Sequence, residues 1–388
     1  MDTPVTVNLT GLPAGAQTTV SATALDADGT AFSSSAQFTA TSSGTVSLSQ
    51  VPTGGSYTRV DPMGLFELLE AQPSAGRVFF RLPADGFTVR LTASVGGRAV
   101  ATVTVKRQSP EALGVTEQEL RPAHGGIFGD LYLPAHTAER HPGVLVFGGS
   151  EGGLSTDEIA SLLAAHGYPA LALAYFDEPG LPATLTEIPL EYFAKAANVL
   201  SRAPGVDPAH LVVWGTSRGS EAAELLGAYY PNLFHAVVAS VPSSVIGPGL
   251  PDISKAAWTF GGKPLPAVSR ADLGNPDPAD APDVVIPVEK IDGPIFLVCA
   301  GKDQLWPSCP YANAIVQRLD AHQSPYQHEE LRYPTAGHGV GGLEPYVIGL
   351  TSVSTDSGGD QLSMGDVSAN EMARADAWPK LLAFLAAQ

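Results

Sequence analysis

Between residues 142 and 334 one alternation constrains the fold more than anything else: apolar runs of strand length are followed by helix-length amphipathic stretches. The runs are PGVLVFGG (142–149), PALALAYF (169–176), HLVVWG (210–215), FHAVVASVP (234–242) and PIFLVCAG (294–301). The helical stretches are STDEIASLLAAHG (155–167), IPLEYFAKAANVLSRAPG (188–205), SRGSEAAELLGAYY (217–230) and a segment at about 310–322. A strand that is apolar without alternation has to be covered on both faces. The pattern therefore predicts an α/β fold, a mostly parallel sheet with helices on both faces. GIFGDLYLP (126–134) and QHEELRYP (327–334) add strands, and WPKLLAFLAAQ (378–388) a closing helix. Ser155 is the expected N-cap of its helix, with Glu158 three residues on and Gly167 as the stop. Residues 243–293 are rich in Pro, Gly and Asp, break the alternation and read as a cap inserted above the sheet.

The first hundred residues have another texture. PVTVNLTGL, TTVSATAL, AQFTAT, GTVSLSQV, RVFFRL, FTVRLTASV and RAVATVTVKR alternate or nearly alternate, and turn pairs such as Asp28-Gly29, Gly54-Gly55 and Gly96-Gly97 separate them. Short strands with frequent turns predict a β-sandwich. DPMGLFELLEAQ (61–72) interrupts them as a helical turn or surface loop. Charge changes with texture: residues 1–121 carry 8 basic and 10 acidic residues, whereas residues 122–388 carry 13 and 29. The expected division is a β-sandwich over 1–110 and an α/β domain over 111–388.

The formal net charge of −18 excludes a nucleic-acid binder, because an acidic field repels phosphate. No run reaches the roughly 18 apolar residues of a membrane span. The N-terminus lacks the charged and apolar regions of a secretion signal. The expectation is a soluble, cytoplasmic protein. Its two cysteines, Cys299 inside an apolar strand and Cys309 at a helix start, form neither a disulfide framework nor a zinc cluster. No histidine–carboxylate group has metal-ligand spacing, so neither metal nor cofactor is implied.

The chemistry centres on Gly215-Thr216-Ser217-Arg218-Gly219. G-x-S-x-G is weak as a bare pattern. Here it follows the strand LVVW and opens a helix, the setting in which a sharp turn lifts a serine to the carboxyl edge of a sheet. The alternative is an ordinary glycine-flanked strand-to-helix turn. A serine hydroxyl needs a base to become a nucleophile, and in an α/β-hydrolase the acid and then the histidine follow in later strand-end loops. Asp303 lies just after IFLVCAG and His338 just after the next strand, in Ala336-Gly337-His338-Gly339. Of the nine histidines only His338 lies in a glycine-flanked loop after a late strand; His328 reads as a residue inside a strand, and His210 and His235 as strand starts at the opposite edge. His338 is the expected general base and acid, with Asp303 fixing its tautomer.

A tetrahedral intermediate also needs N–H donors. The backbone N–H of Arg218 supplies one. The loop Gly148-Gly149-Ser150-Glu151-Gly152-Gly153 supplies the other, with Glu151 favoured and Ser150 as the alternative. Read as a phosphate cradle, this loop lacks both a P-loop lysine and dinucleotide spacing. The four tryptophans read as core, and residues 352–366 as a solvated loop.

Taken together these segments resemble the acyl-CoA thioesterase / bile acid-CoA:amino acid N-acyltransferase family. The resemblance spans nearly the whole chain: VTVNLTGLPAGAQTTVSA and GGSYTRVDPMGLFELLEA in the first part; PGVLVFGGSEGG, HGYPALALAYF, GVDPAHLVVWGTSRGSEAAELLG and YPTAGHG in the second; ANEMARADAWPKLLAFL at the end. It implies an immunoglobulin-like domain ahead of an α/β-hydrolase domain. It also implies cleavage of acyl thioesters, of CoA or a related carrier, through an acyl-enzyme on Ser217, with Asp303 and His338 completing the triad. Family members that transfer acyl groups to amino acids carry a cysteine nucleophile, so the serine here favours hydrolysis. The alternatives are ester or lactone hydrolysis, or transfer to an amine. Lys255, Lys263, Arg270 and Lys302 are the cations available near the cap for an anionic carrier.

Overall fold

The computed structural model describes residues 1–71, 80–122, 126–269, 272–346, 348, 355–357 and 360–388. The chain divides into two units, Met1–Leu113 together with Glu344–Val353 and Asp366–Ala375, and the remainder from Gly114.

In the first unit, β1 (Gln17–Leu25), β2 (Ala31–Thr39), β3 (Phe87–Val95) and β4 (Arg98–Arg107) run antiparallel in the order β2-β1-β3-β4. Two-residue strands at Gly54–Gly55 and Glu70–Ala71 both pair with β2. Alternation does the work here. Val20, Ala22 and Ala24 of β1 are buried while Ser21 and Thr23 are not, as a one-sided sheet requires. Of the two readings of DPMGLFELLEAQ, the helical turn is the one found, within the described residues 61–71. The turn is Gly64–Glu67, and Leu65, Phe66 and Leu69 sit in the core with Phe32 and Phe38. PVTVNLTGL and GTVSLSQV contribute only the short pair Asn8–Leu9 and Val46–Ser47. Of RVFFRL, residues 80–82 are not strand and residues 77–79 lie outside the described residues.

The second unit holds an eight-stranded sheet. Its members are β5 (Thr116–Leu120), β6 (Phe128–Leu133), β7 (His141–Phe147), β8 (Ala170–Ala174), β9 (Val206–Thr216), β10 (Ala236–Ser240), β11 (Ile295–Ala300) and β12 (Glu329–Tyr333). Their order is β12-β11-β10-β9-β7-β8-β6-β5. From β8 through β12 the pairs are parallel, and β6 and β5 add antiparallel strands at one edge. Every residue of β8, β10 and β11 is buried, which is why they read as unbroken apolar runs. Helix α1 (Asp157–Ala165) packs on β8 and β6, α3 (Arg218–Tyr229) on β9 and β10, and α4 (Ser308–Ala321) on β11; α2 (Leu190–Leu200) packs beside α3, and the last helix, α5 (Val367–Ala386), has its residues up to Ala375 in the first unit and the rest in the second. This is an α/β-hydrolase fold preceded by an all-β antiparallel domain. His328 precedes β12 rather than lying within it.

Ser155 does not cap α1. Thr156 occupies the N-cap, and the Ser155 hydroxyl instead donates to Glu151 Oε1 at 2.7 Å. The Glu151 carboxylate, four residues earlier in the same loop, takes the hydroxyl proton in a charge-assisted bond, and the helix starts one residue later. The cysteines, read separately from the sequence, are joined: Cys299 of β11 and Cys309 of α4 form a disulfide. Residues 243–293 supply Trp258–Phe260 and Lys263–Pro264 to a small three-stranded sheet with Ile188–Pro189. No helix among the described residues is long and apolar enough to cross a membrane.

Candidate active site

The site begins with a strained residue. Ser217, between β9 and α3, has φ 56° and ψ −123°, a conformation that costs a side-chain-bearing residue on the order of 1–3 kcal/mol. Its neighbours hold it there. Its own N–H donates to Ser240 O at the end of β10 (2.9 Å), and its carbonyl accepts from Ser220 Oγ (2.6 Å). The flanking glycines answer to space. A Cβ on Gly215 would overlap the Gly219 carbonyl, and one on Gly219 would overlap the Gly148 carbonyl.

The structure brings the three predicted side chains together at the carboxyl ends of β9, β11 and β12. Ser217 Oγ lies 2.9 Å from His338 Nε2. His338 Nδ1 lies 2.9 and 3.0 Å from the two oxygens of Asp303. The side chains of His338 and Asp303 are 3% and 1% exposed, so water does not compete for these bonds. Asp303 Oδ1 also accepts the N–H groups of Leu305 (3.0 Å) and Trp306 (3.3 Å), which fixes the carboxylate. Thr216 Oγ1 donates to Gly341 O (3.1 Å) and ties the serine turn to the histidine loop. Trp306, read from the sequence as core, donates its indole N–H to Val241 O (3.1 Å) and lies edge-on to the His338 ring at 5.9 Å.

Of the two predicted donors, Arg218 opens α3, where a backbone N–H has no acceptor within the helix. The glycine loop runs directly beside the serine: a Cβ on Gly149 would stand 2.8 Å from Ser217 Cβ. The side chain of Glu151 folds back over this loop, its Oε1 accepting the Gly149 N–H at 2.9 Å. The Arg218 side chain has a use the sequence did not announce. Its guanidinium donates to the carbonyls of Gly247 and Pro248 (both 2.9 Å) and pairs with Glu221 at 2.8 Å. Glu221 Oε2 in turn accepts from Gly247 N (3.1 Å) and Trp258 Nε1 (3.0 Å). The 243–293 segment is thus bolted to the first turn of the helix that follows Ser217. One turn on, burial and the neighbouring Glu221 push the Glu224 carboxyl well above its ordinary range. Neither of its oxygens has a partner among the described residues, and it is fully buried; the neutral acid is the form that can exist there. Of the cations named for the cap, Lys255 is engaged with Glu187 at 3.5 Å and Arg270 lies outside the described residues.

Comparison with known proteins shows the family of the chain. Residues 2–121 match the family model "Acyl-CoA thioester hydrolase/BAAT N-terminal region", and residues 188–388 match "BAAT / Acyl-CoA thioester hydrolase C terminal". The chain belongs to the acyl-CoA thioester hydrolase/BAAT family. Among curated family members, acyl-coenzyme A thioesterase 1 of Homo sapiens is 29% identical over 99% of this chain and 93% of its own length. Acyl-coenzyme A thioesterase 3 of Mus musculus is 30% identical over 99% and 90%. The family also includes the mouse acyl-coenzyme A amino acid N-acyltransferase 1, 29% identical over 99% and 94%. Among solved structures, an α/β-hydrolase from a deep-sea metagenome library is 18% identical, with a TM-score of 0.46, over 70% of this chain and 98% of that one.

Proposed function

We propose that this enzyme hydrolyses acyl thioesters of coenzyme A through an acyl intermediate on Ser217. The observation that carries the reading is the unbroken hydrogen-bonded line Ser217–His338–Asp303, buried at the carboxyl edge of the sheet in a chain of this family. His338 Nε2 takes the serine proton as Oγ attacks the thioester carbonyl. Asp303 holds Nδ1–H and stabilises the imidazolium that forms. The oxyanion is met by the Arg218 N–H and by an N–H of the Gly149–Glu151 loop, with that of Glu151 as the donor expected from the sequence. Collapse expels the CoA thiolate, which receives the proton from His338. Water then enters and attacks the acyl carbon as His338 takes its proton, and the second tetrahedral intermediate collapses as His338 passes that proton to Ser217 Oγ, releasing the carboxylic acid and the free serine.

Thiol release from acyl-CoA, followed with a thiol-reactive dye, tests the reading. Wild type turns over and Ser217→Ala does not; equal rates would remove the mechanism. The second reading, transfer to an amine, is favoured by the N-acyltransferase relatives. An amino acid acceptor that diverted product from free acid to amide would establish it, and faster cleavage of p-nitrophenyl esters than of any thioester would move the substrate class to esters. We place the enzyme in the cytoplasm; the Cys299–Cys309 bridge then faces a reducing pool.

A further inference from the structure

We propose that Tyr175 is a positioning residue for the oxyanion loop, its hydroxyl setting the two successive peptide planes of which the second aims the Ser150 N–H at the intermediate on Ser217. The inference rests on the acyl-Ser217 reading above. Tyr175 lies just beyond β8, 3% exposed, packed among Phe147, Phe193 and Trp258. Its hydroxyl reaches two successive carbonyls of the glycine loop, Gly149 O at 2.6 Å and Gly148 O at 3.0 Å.

In a trans peptide the N–H points opposite to the C=O. The described residues contain a single cis bond, Leu250–Pro251, so both loop peptides are trans. Two consecutive planes therefore have their carbonyls turned toward Tyr175 and their N–H groups turned away. The N–H of the first plane, on Gly149, lands on Glu151 Oε1. The N–H of the second, on Ser150, is left for the space beside Ser217, against which Gly149 is packed. Glu151 follows at once in the chain. Of the two candidate donors, the Ser150 N–H lies in a plane the phenol fixes, and the Glu151 N–H belongs to the next plane along.

Glycine has no side chain to hold such a plane, so the clamp has to come from outside. Tyr175 is one jaw. The Glu151 carboxylate, itself held by Ser155 Oγ at 2.7 Å, is the other. Burial raises the phenol well above its ordinary range, so the hydroxyl stays a donor through the working pH. The preorganisation of donors before the charge develops is what makes them effective. A loop whose peptides can rotate binds the ground-state thioester as before and fails only at the tetrahedral stage.

The test is Tyr175→Phe, which deletes one oxygen and keeps the ring. Three readouts are taken: kcat and KM on an acyl-CoA, the Ki of a CoA thioether of equal chain length, and the Ki of a CoA trifluoromethyl ketone, which Ser217 adds to as a tetrahedral adduct. The expected result is a kcat lower by about tenfold, less than outright removal of a donor. KM and the thioether Ki stay at wild-type values while the ketone Ki weakens by the same factor as kcat. A merely structural role would lower thermal stability and leave the ratio of ketone to thioether affinity alone. A folded Tyr175→Phe with wild-type kcat and wild-type ketone affinity overturns the proposal. If that variant does not fold, Glu151→Ala opens the other jaw with the backbone intact and is read by the same ratio. Ser217→Ala run alongside separates the two failures: if it keeps the wild-type rate, the acyl-serine reading has fallen.

Discussion

Ser217 pays for its position in backbone strain, and the strain can be measured apart from the chemistry. Ser217→Ala and Ser217→Gly both lack the hydroxyl and both should be inactive. Only glycine occupies φ 56° without penalty. Ser217→Gly should therefore be the more stable of the two by about 1 kcal/mol, seen as a higher melting temperature; the reverse order would mean that the neighbours impose no strain. Serine, aspartate and histidine were legible in the sequence because each follows a strand, and only strand-end loops can converge. Tyr175, Glu221 and Trp258 were not. Tyr175 ends an apolar run, and nothing in PALALAYF says that its hydroxyl will meet two glycine carbonyls. A hydrogen bond between residues distant in sequence leaves no local trace.

At the scale of elements, two features set stability. Asp157 opens α1, and burial, together with the nearby Asp130 and Glu117, raises its carboxyl to about 7 against the pull of Arg121 and Tyr132. The folded state then holds a proton that the unfolded chain, with an ordinary aspartate near 3.9, has already lost. Between those two values stability falls as pH rises, and above the upper one it levels off. Asp157→Asn should flatten that decline in a pH series of melting temperatures; an unchanged slope would assign the decline elsewhere. The Cys299–Cys309 bridge closes a loop of 10 residues around Asp303. Chain entropy for so short a loop is worth about 2–3 kcal/mol, so the Cys299→Ala, Cys309→Ala double variant should melt several degrees lower than the oxidised protein. Equal melting points would show the cysteines to be unlinked in solution. The buried strands were legible as runs of Val, Leu, Ala and Phe. The bridge was not, because pairing depends on how β11 and α4 pack. The capping pattern at Ser155 misled because the helix starts one residue later, at the Thr156 N-cap, while the Ser155 hydroxyl donates to a carboxylate in the loop before it.

For the whole molecule the dominant quantity is the charge of −18. Coenzyme A is itself an anion, and long-range repulsion slows encounter until salt screens it. Raising ionic strength from about 10 mM to about 150 mM, where the screening length contracts to roughly 8 Å, should increase kcat/KM for acyl-CoA. A neutral acyl-pantetheine should show no such rise. A fall with salt for acyl-CoA alone would instead reveal a local cationic rim strong enough to override the global field. Two-part organisation was readable from texture and from the uneven charge. The membership of Glu344–Val353 and Asp366–Ala375 in the first unit was not, since chain order says nothing about which segments return.

The backbone contact between Gly219 and the Gly148 carbonyl reaches into protein engineering. Any library that randomises the elbow or the glycine loop alone will discard nearly all its members, because each wall is shaped by the other's missing side chain. Gly215, Gly219 and Arg218 are therefore the positions to hold constant in any such library.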